Sequence, residues 1–477
     1  MRIVKNFLWN SSYQIFILIV PLITIPYVSR VLGTTGIGIN AFTNSITQYF
    51  VLIGSMGLSL YGNREVAYVR DDKKKLSALF WELTILRAVL TFFAALLYIG
   101  FILISKEYQV YYWIQMITLI ASLVDISWFF QGLENFKVSV LRNFFVKVVS
   151  LIFIFTMVKH HSDVGLYIFI IAASTFVGNL TLWPYLRREI VGIHIPDLHI
   201  ARHIGPMIRL FIPQIAMQLY LQVNKTMLKY LVDVEASGFY DNADKIVKMI
   251  LALVTSTGTV MLPYVANSFA QGLKEKVQRA LNMSLQITLA MAFPAAAGVA
   301  AVAPEFVTLY FGPSFNAVAP LMMIESIIIV WIGISSVVGN QYLLPTNQLN
   351  AYTNSIVLGS VVNIILNFPL IELFGTPGAM WATMIAEFLV AGSQLWAIRH
   401  QVVFHDLFSE TWKYLVSALV MLGGVRLTMV AASAYSLTLR LVAGIGVGVV
   451  TYVAILLLLR PHNLFSYAKI LKGTRRI

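Results

Sequence analysis

The sequence predicts an all-α polytopic membrane protein, and three observations carry that reading. About fourteen stretches of roughly twenty mostly apolar residues follow one another from Ser12 to Leu459, and about 20 helical residues cross a hydrocarbon core about 30 Å thick. Of 477 residues, 58% are hydrophobic and 12% charged, where ordinary soluble domains carry about 25% charged residues. Lys and Arg gather in every second gap between the apolar stretches. Most soluble functions are thereby excluded.

The spans are expected at 12–32, 38–60, 79–104, 111–132, 144–158, 165–185, 207–231, 243–263, 284–303, 319–338, 354–373, 378–398, 413–435 and 439–459. The first follows Arg2 and Lys5 but is too long for a signal peptide and lacks a small-residue cleavage site, so it is expected to be a retained helix. The fifth is short, with Lys147 near its start. Gaps on the side of the N-terminus hold Arg64, Arg70 and Lys73 to Lys75, then Lys137 and Arg142, then Arg187, Arg188 and Arg202, then Lys274, Lys276 and Arg279, and last Arg460, Lys469, Lys472, Arg475 and Arg476. The opposite gaps offer little beyond Lys106, Lys159 and Arg440. By the positive-inside rule both termini are cytoplasmic. The net charge of +13 is then topological rather than a nucleic-acid footprint, and no nucleic-acid partner is expected.

The external gaps are very short, Phe374–Pro377 and Ser436–Thr438 among them. A membrane glycosyltransferase, ligase or polymerase needs a sizeable external loop to hold a catalytic acid over its substrate, so the chain reads as a non-enzyme. The longest polar segment lies within 187–206, RREIVGIHIPDLHIARHIGP. It reads as a cytoplasmic linker between an N-terminal six-helix lobe, 1–186, and a second, 207–400. Two additional helices and a basic tail occupy 401–477. An internal repeat agrees with this division: Gly38–Ile46 can be laid on Gly238–Ile246, each after a long span with an early proline, Pro21 or Pro213. Repeats packed around a central site are a common transporter plan.

No soluble-enzyme motif survives inspection. Gly444, Gly446 and Gly448 lie inside the last span, where small residues let helices pack closely. His160, His161, His194, His199 and His203 lie on loops without metal-ligand spacing and read as solvated or interfacial residues. Trp9, Trp113, Trp183, Trp396 and Trp412 sit near span ends, as interfacial anchors do. The chain has no cysteine and no GxxxxGK[ST], so neither thiol chemistry nor intrinsic ATP hydrolysis is expected, and no cofactor or metal is assigned. Charges at membrane depth are the informative minority, since each costs a few kcal/mol at the bilayer centre and tends to face a cavity or a partner. They are Glu82, Arg87, Asp125, Lys225, Lys229, Glu325, Glu387 and Arg426, with Arg30, Asp244, Lys245 and Lys248 near span ends. Glu82 and Arg87 begin a span just after Lys75 and are as well placed to snorkel as to function.

Five segments in order carry a resemblance: PLITIPYVSRVLGTTGIGINAF from Pro21, GLSLYGNREVA at the end of the second span, FFQGLENFKVSVLRN, VNKTMLKYLVDVEASGFYDNADKIVKM, and NQYLLPTNQLNAYTNSIVLGSVVNIILNFPLIELFGTPGAMWATMIAEF. Together they resemble the Wzx-type polysaccharide repeat-unit flippases of the multidrug/oligosaccharidyl-lipid/polysaccharide exporter superfamily, from the first span to about the twelfth. The resemblance implies two six-helix bundles around a central cavity that opens alternately to either side, plus two C-terminal helices. Its implied cargo is an undecaprenyl-diphosphate-linked oligosaccharide carried to the outer leaflet of the bacterial cell membrane, for capsule, exopolysaccharide or O-antigen synthesis alongside a polymerase and assembly proteins.

An anionic headgroup asks for buried cations, Arg by bidentate contact and Lys as a point charge. Carried over residue by residue, the resemblance points to Arg30 in SRVLG, Lys225 in NKTML and Lys245 in YDNADK as substrate-binding residues. Asn224 stands where relatives often carry Asp, and Lys229 where they often carry Gly, so ion coupling inferred from that Asp does not transfer. Asp125, Asp244 and Glu387 are the candidate carboxylates for coupling to protons or Na⁺, with the membrane potential acting on the headgroup as another driving force. A multidrug exporter of the same superfamily, and a membrane enzyme or assembly partner of polysaccharide synthesis, remain the alternatives.

Overall fold

The computed structural model describes residues 2–192, 198–256 and 258–461. His194 and the basic tail with Lys469, Lys472, Arg475 and Arg476 lie outside the described residues. Every regular element among the described residues is helical. Among the described residues, ten helical stretches are long and apolar enough to cross a membrane. Expected span 38–60 and the part of 12–32 from Ile19 onward fall in the first of these, and 144–158, 207–231 and 243–263 lie outside the ten. Contacts divide the chain into two units, Met1–Gly238 and Phe239–Ile477.

In the first unit, α1 (Arg2–Ser55) runs 54 residues, about 80 Å if straight, far more than one crossing needs. It breaks at Gly33, whose φ of 70° and ψ of −178° are conformations that favour glycine. The expected gap between the first two spans is therefore a kink rather than a loop. After α2 (Leu58–Val69), Asp72 caps α3 (Lys73–Ile104), its carboxylate accepting from the Lys74 and Lys75 amides at 3.0 and 3.2 Å. The expected span 111–132 is broken into α4 (Gln109–Leu123) and α5 (Ser127–Gly132). The unit continues through α6 (Phe136–Met157), α7 (Val164–Leu180), α8 (Trp183–Leu186) and α9 (Ile204–Leu231). Two cores hold it: Phe42, Tyr98, Tyr112 and Leu119 between α1, α3 and α4, and Leu58, Phe80, Trp128, Phe129 and Leu182 between α2, α3, α5 and the α7–α8 turn. Gly62 admits the Trp128 ring so closely that a Cβ would stand 2.5 Å from it. α9 packs on α1 and α2, which is why it falls in this unit.

Helix α10 (Val234–Thr255) leads into the second unit, followed by α11 (Gly258–Ala270) and the 37-residue α12 (Lys274–Tyr310). Expected span 319–338 is built from α13 (Val318–Glu325), α14 (Ile328–Ser335) and a π-helical turn, Ser336–Leu343. α15 (Leu349–Phe374) and α16 (Thr376–Ile398) form a hairpin about Gly375, φ 63°. A Cβ on Gly378 would lie 1.9 Å from the Leu370 carbonyl oxygen, so that turn admits only glycine. After α17 (Phe404–Phe408), α18 (Thr411–Ala431) and α19 (Leu437–Leu459) pack on each other and on α12. Gly444 and Gly448 face Met429 and Val425 of α18 closely enough that a Cβ would come within 2.4 and 2.9 Å, as close helix packing requires. Gly446 has nothing within 4 Å.

Arg426, central in its span, donates to the Ala301 carbonyl at 3.0 Å and pairs with Glu305 at 3.3 Å, while Arg440 of α19 reaches the same carboxylate at 3.2 Å. These contacts tie the last two helices to α12. Large apolar side chains such as Leu427, Val430, Val450 and Leu458 lie exposed on their far sides, as expected where lipid is the solvent.

Candidate functional site

In the first unit the basic candidates lie on α1 and α9. Lys225 and its neighbour Asn224 are both buried. The Lys225 carbonyl accepts the Ser237 hydroxyl at 2.6 Å, which fixes the turn from α9 into α10. One residue on, the Thr226 hydroxyl meets Ser45 and Tyr49 of α1, each at 3.1 Å. Lys229 pairs with Glu107 at 2.5 Å and stands over the rings of Tyr230, Phe42 and Tyr108 at 4.7, 5.5 and 5.7 Å. Its charge is thus held by one carboxylate and three aromatic faces. Arg30 is exposed on α1, just before the Gly33 break. Beyond that break Thr35 donates to Glu235 at 2.6 Å.

Two expectations about this unit need correction. Glu82 and Arg87 do not snorkel; both are buried. Glu82 accepts from the His199 amide at 2.6 Å, from Arg202 at 2.6 Å and from His203 at 2.8 Å, and the other His203 nitrogen meets the Tyr61 hydroxyl at 2.8 Å. His203, read as a solvated or interfacial loop residue, is therefore interior, because the chain entering α9 folds back onto α3. Arg87 donates to the Asp125 carbonyl at 2.8 Å, in the gap between α4 and α5. The Asp125 carboxylate caps the Ser127 amide at 3.0 Å and lies 4.0 Å from Arg142, which donates to Asn179 at 2.6 Å.

The second unit contains Lys245, Asp244 and Glu387. Helix α10 carries two acid–base pairs at i, i+4 spacing: Asp241 with Lys245, and Asp244 with Lys248 at 2.6 Å. Glu325 at the end of α13 is buried, and Glu387 lies on α16. Lys248 also lines a cavity of about 350 Å³ whose polar lining includes Ser335, Ser336, Asn340, Tyr352 and Gln394. The unit also holds a buried polar ladder that sequence reading missed: Asn367 donates to Asn363 at 3.0 Å, Asn363 to Thr383 at 3.4 Å, and Thr383 meets the Tyr240 hydroxyl at 3.2 Å. The four-residue spacing of Asn363 and Asn367 was its one sequence signal. Among the described residues no group of three His, Cys, Asp or Glu could hold a metal ion.

The first unit thus holds the buried Lys225 and the paired Lys229, and the second holds two acid–base pairs on α10 and a polar cavity. Residues 3–269 match the model of a family described as "Polysaccharide biosynthesis protein". The chain belongs to that family. A full-length relative within reach is named "Putative O-antigen transporter" in Escherichia coli (strain K12), 23% identical over 403 residues, with 83% of this chain and 96% of the relative covered. The lipid II flippase MurJ of Bacillus subtilis (strain 168) is 26% identical over 151 residues, 30% of this chain and 26% of the relative.

This member of the polysaccharide biosynthesis protein family has the fold of solved transporters. A lipid II flippase MurJ structure, described as an inward closed conformation, matches with a TM-score of 0.71 and 14% identity, covering 94% of this chain and 98% of that one. An inward-facing MATE-family transporter of the MOP superfamily matches at 0.64 and 13% identity over 83% and 94%. The all-α polytopic fold class and the resemblance to superfamily flippases are borne out.

Proposed function

We propose that the protein is a flippase. It moves undecaprenyl-diphosphate-linked oligosaccharide repeat units from the cytoplasmic to the outer leaflet of the bacterial cytoplasmic membrane, for O-antigen, capsule or exopolysaccharide synthesis. The observation that carries this is the match along nearly the whole length of the relative named "Putative O-antigen transporter", with the MurJ fold in support. Both termini face the cytoplasm, and the lobes 1–186 and 207–400 alternate access to a cavity. Lys225, Lys245 and Arg30 meet the diphosphate, where buried or membrane-level ammonium and guanidinium groups offset the headgroup charge. Asp125, Asp244 and Glu387 are the coupling carboxylates for a proton or Na⁺ gradient. A polysaccharide polymerase and assembly proteins act on the product.

The MATE-like fold favours one second reading, export of organic cations. Expression in a strain whose own O-antigen transporter is deleted separates the two. The flippase reading expects surface polysaccharide to return with no change in resistance to cationic drugs. Raised resistance without polysaccharide turns the assignment to drug export.

A further inference from the structure

Five elements wall the cavity of about 350 Å³ in the second unit: Lys248 comes from α10, Ser335 from α14, Ser336 and Asn340 from the π-helical turn, Tyr352 from α15 and Gln394 from α16. Its volume lies at the lower end of the range for small-ligand cavities, about 300–1,000 Å³. Gln394 is fully buried; its amide nitrogen donates to Ser355 at 3.0 Å, while its carbonyl oxygen has no donor among the described residues. A buried acceptor of this kind costs stability unless something supplies the missing hydrogen bond. The Ser336–Leu343 turn is π-helical, a geometry that is rare and gathers at functional sites. Within it a Cβ on Gly339 would lie 3.0 Å from the Gln394 amide nitrogen and 3.1 Å from the Tyr352 ring, so the backbone of the turn closes on both side chains.

The lining also defines its ligand. Lys248 is the charged member among the described lining residues, and Asp244 neutralises it at 2.6 Å. A diphosphate therefore finds no spare positive charge here, and an organic cation finds no carboxylate among the described lining residues. Hydroxyls and carboxamides both donate and accept hydrogen bonds, which matches a neutral ligand whose own hydroxyls do the same. Tyr352, Leu251 and Ile356 add apolar surface for the carbon faces of such a ligand. A polyprenyl chain would leave the amides unpaired. Resting on the flippase reading above, we propose that this cavity is a sugar subsite, which binds one uncharged pyranose ring of the transported oligosaccharide, with Gln394 and Asn340 hydrogen-bonding its hydroxyls.

The test has two readouts. Saturation-transfer NMR of the purified full-length protein uses glucose, galactose and N-acetylglucosamine as neutral probes, with glucuronate and choline as charged controls. A neutral sugar is expected to take up saturation from the wild type and to lose it in Asn340→Leu, which keeps the bulk of the side chain and removes its hydrogen bonds. Ser336→Ala supplies the same reading should the first variant not fold. In proteoliposomes, movement of an undecaprenyl-diphosphate oligosaccharide is expected to slow about tenfold in Asn340→Leu, as the loss of one ligand hydrogen bond gives. No transfer to any neutral sugar, undiminished transfer in both variants, or stronger transfer to glucuronate or choline than to every neutral sugar overturns the subsite and leaves the flippase reading standing. Wild-type protein that binds a neutral sugar through these residues but moves no lipid overturns the flippase reading and leaves the subsite standing.

Discussion

Gly38 and Gly238 meet backbone to backbone: a Cβ on Gly238 would stand 2.7 Å from the Gly38 amide nitrogen, and one on Gly38 would stand 2.1 Å from the Val234 carbonyl oxygen. They are the first residues of the two segments that align as an internal repeat, Gly38–Ile46 and Gly238–Ile246.

That contact predicts an asymmetric response to an added methyl group. Gly38→Ala forces main chain apart and is expected to cost about 1–3 kcal/mol, read as a lower thermal midpoint in detergent. Gly392→Ala meets nothing within 4 Å and lies inside α16, so it is expected to leave the midpoint unchanged or raise it slightly. Equal effects at the two sites would contradict the close approach.

A second prediction concerns the Glu82 latch. Glu82→Ala strands the buried His203 and the Arg202 guanidinium that converge on it, an expected loss of about 3 kcal/mol. Limited proteolysis checks it, with faster cleavage at Arg202 than in the wild type. Unchanged cleavage would mean that the start of α9 is held to α3 by packing alone.

How much of this was legible in the sequence depends on what set each feature. Lipid demands long apolar runs, so most spans could be read directly, and the close approaches at Gly444 and Gly448 followed from small residues within such a run. Breaks within runs were not legible. Residues 33–37 read as a loop, yet the chain turns at Gly33 alone. The span 111–132 looked continuous, yet it opens at Asp125. Partnerships over long separations were hidden as well: Glu82 and His203 are 121 residues apart, and nothing local marks them as a pair.

The two C-terminal helices give a third prediction. Glu305→Gln weakens the carboxylate shared by Arg426 and Arg440, and Arg426→Leu removes one of its partners. A double-mutant cycle on thermal stability is expected to show coupling of about 1 kcal/mol, because both residues act through one contact between α12 and α18. Additive effects would place the two residues in separate roles.

Lys225 carries the central claim. In proteoliposomes, transbilayer movement of an undecaprenyl-diphosphate oligosaccharide is scored by its accessibility to an external sugar-modifying enzyme, with an organic cation assayed in parallel. The account predicts lipid movement by the wild type that is lost in Lys225→Gln while the variant remains folded. Cation efflux without lipid movement, or undiminished lipid movement in Lys225→Gln, would contradict it.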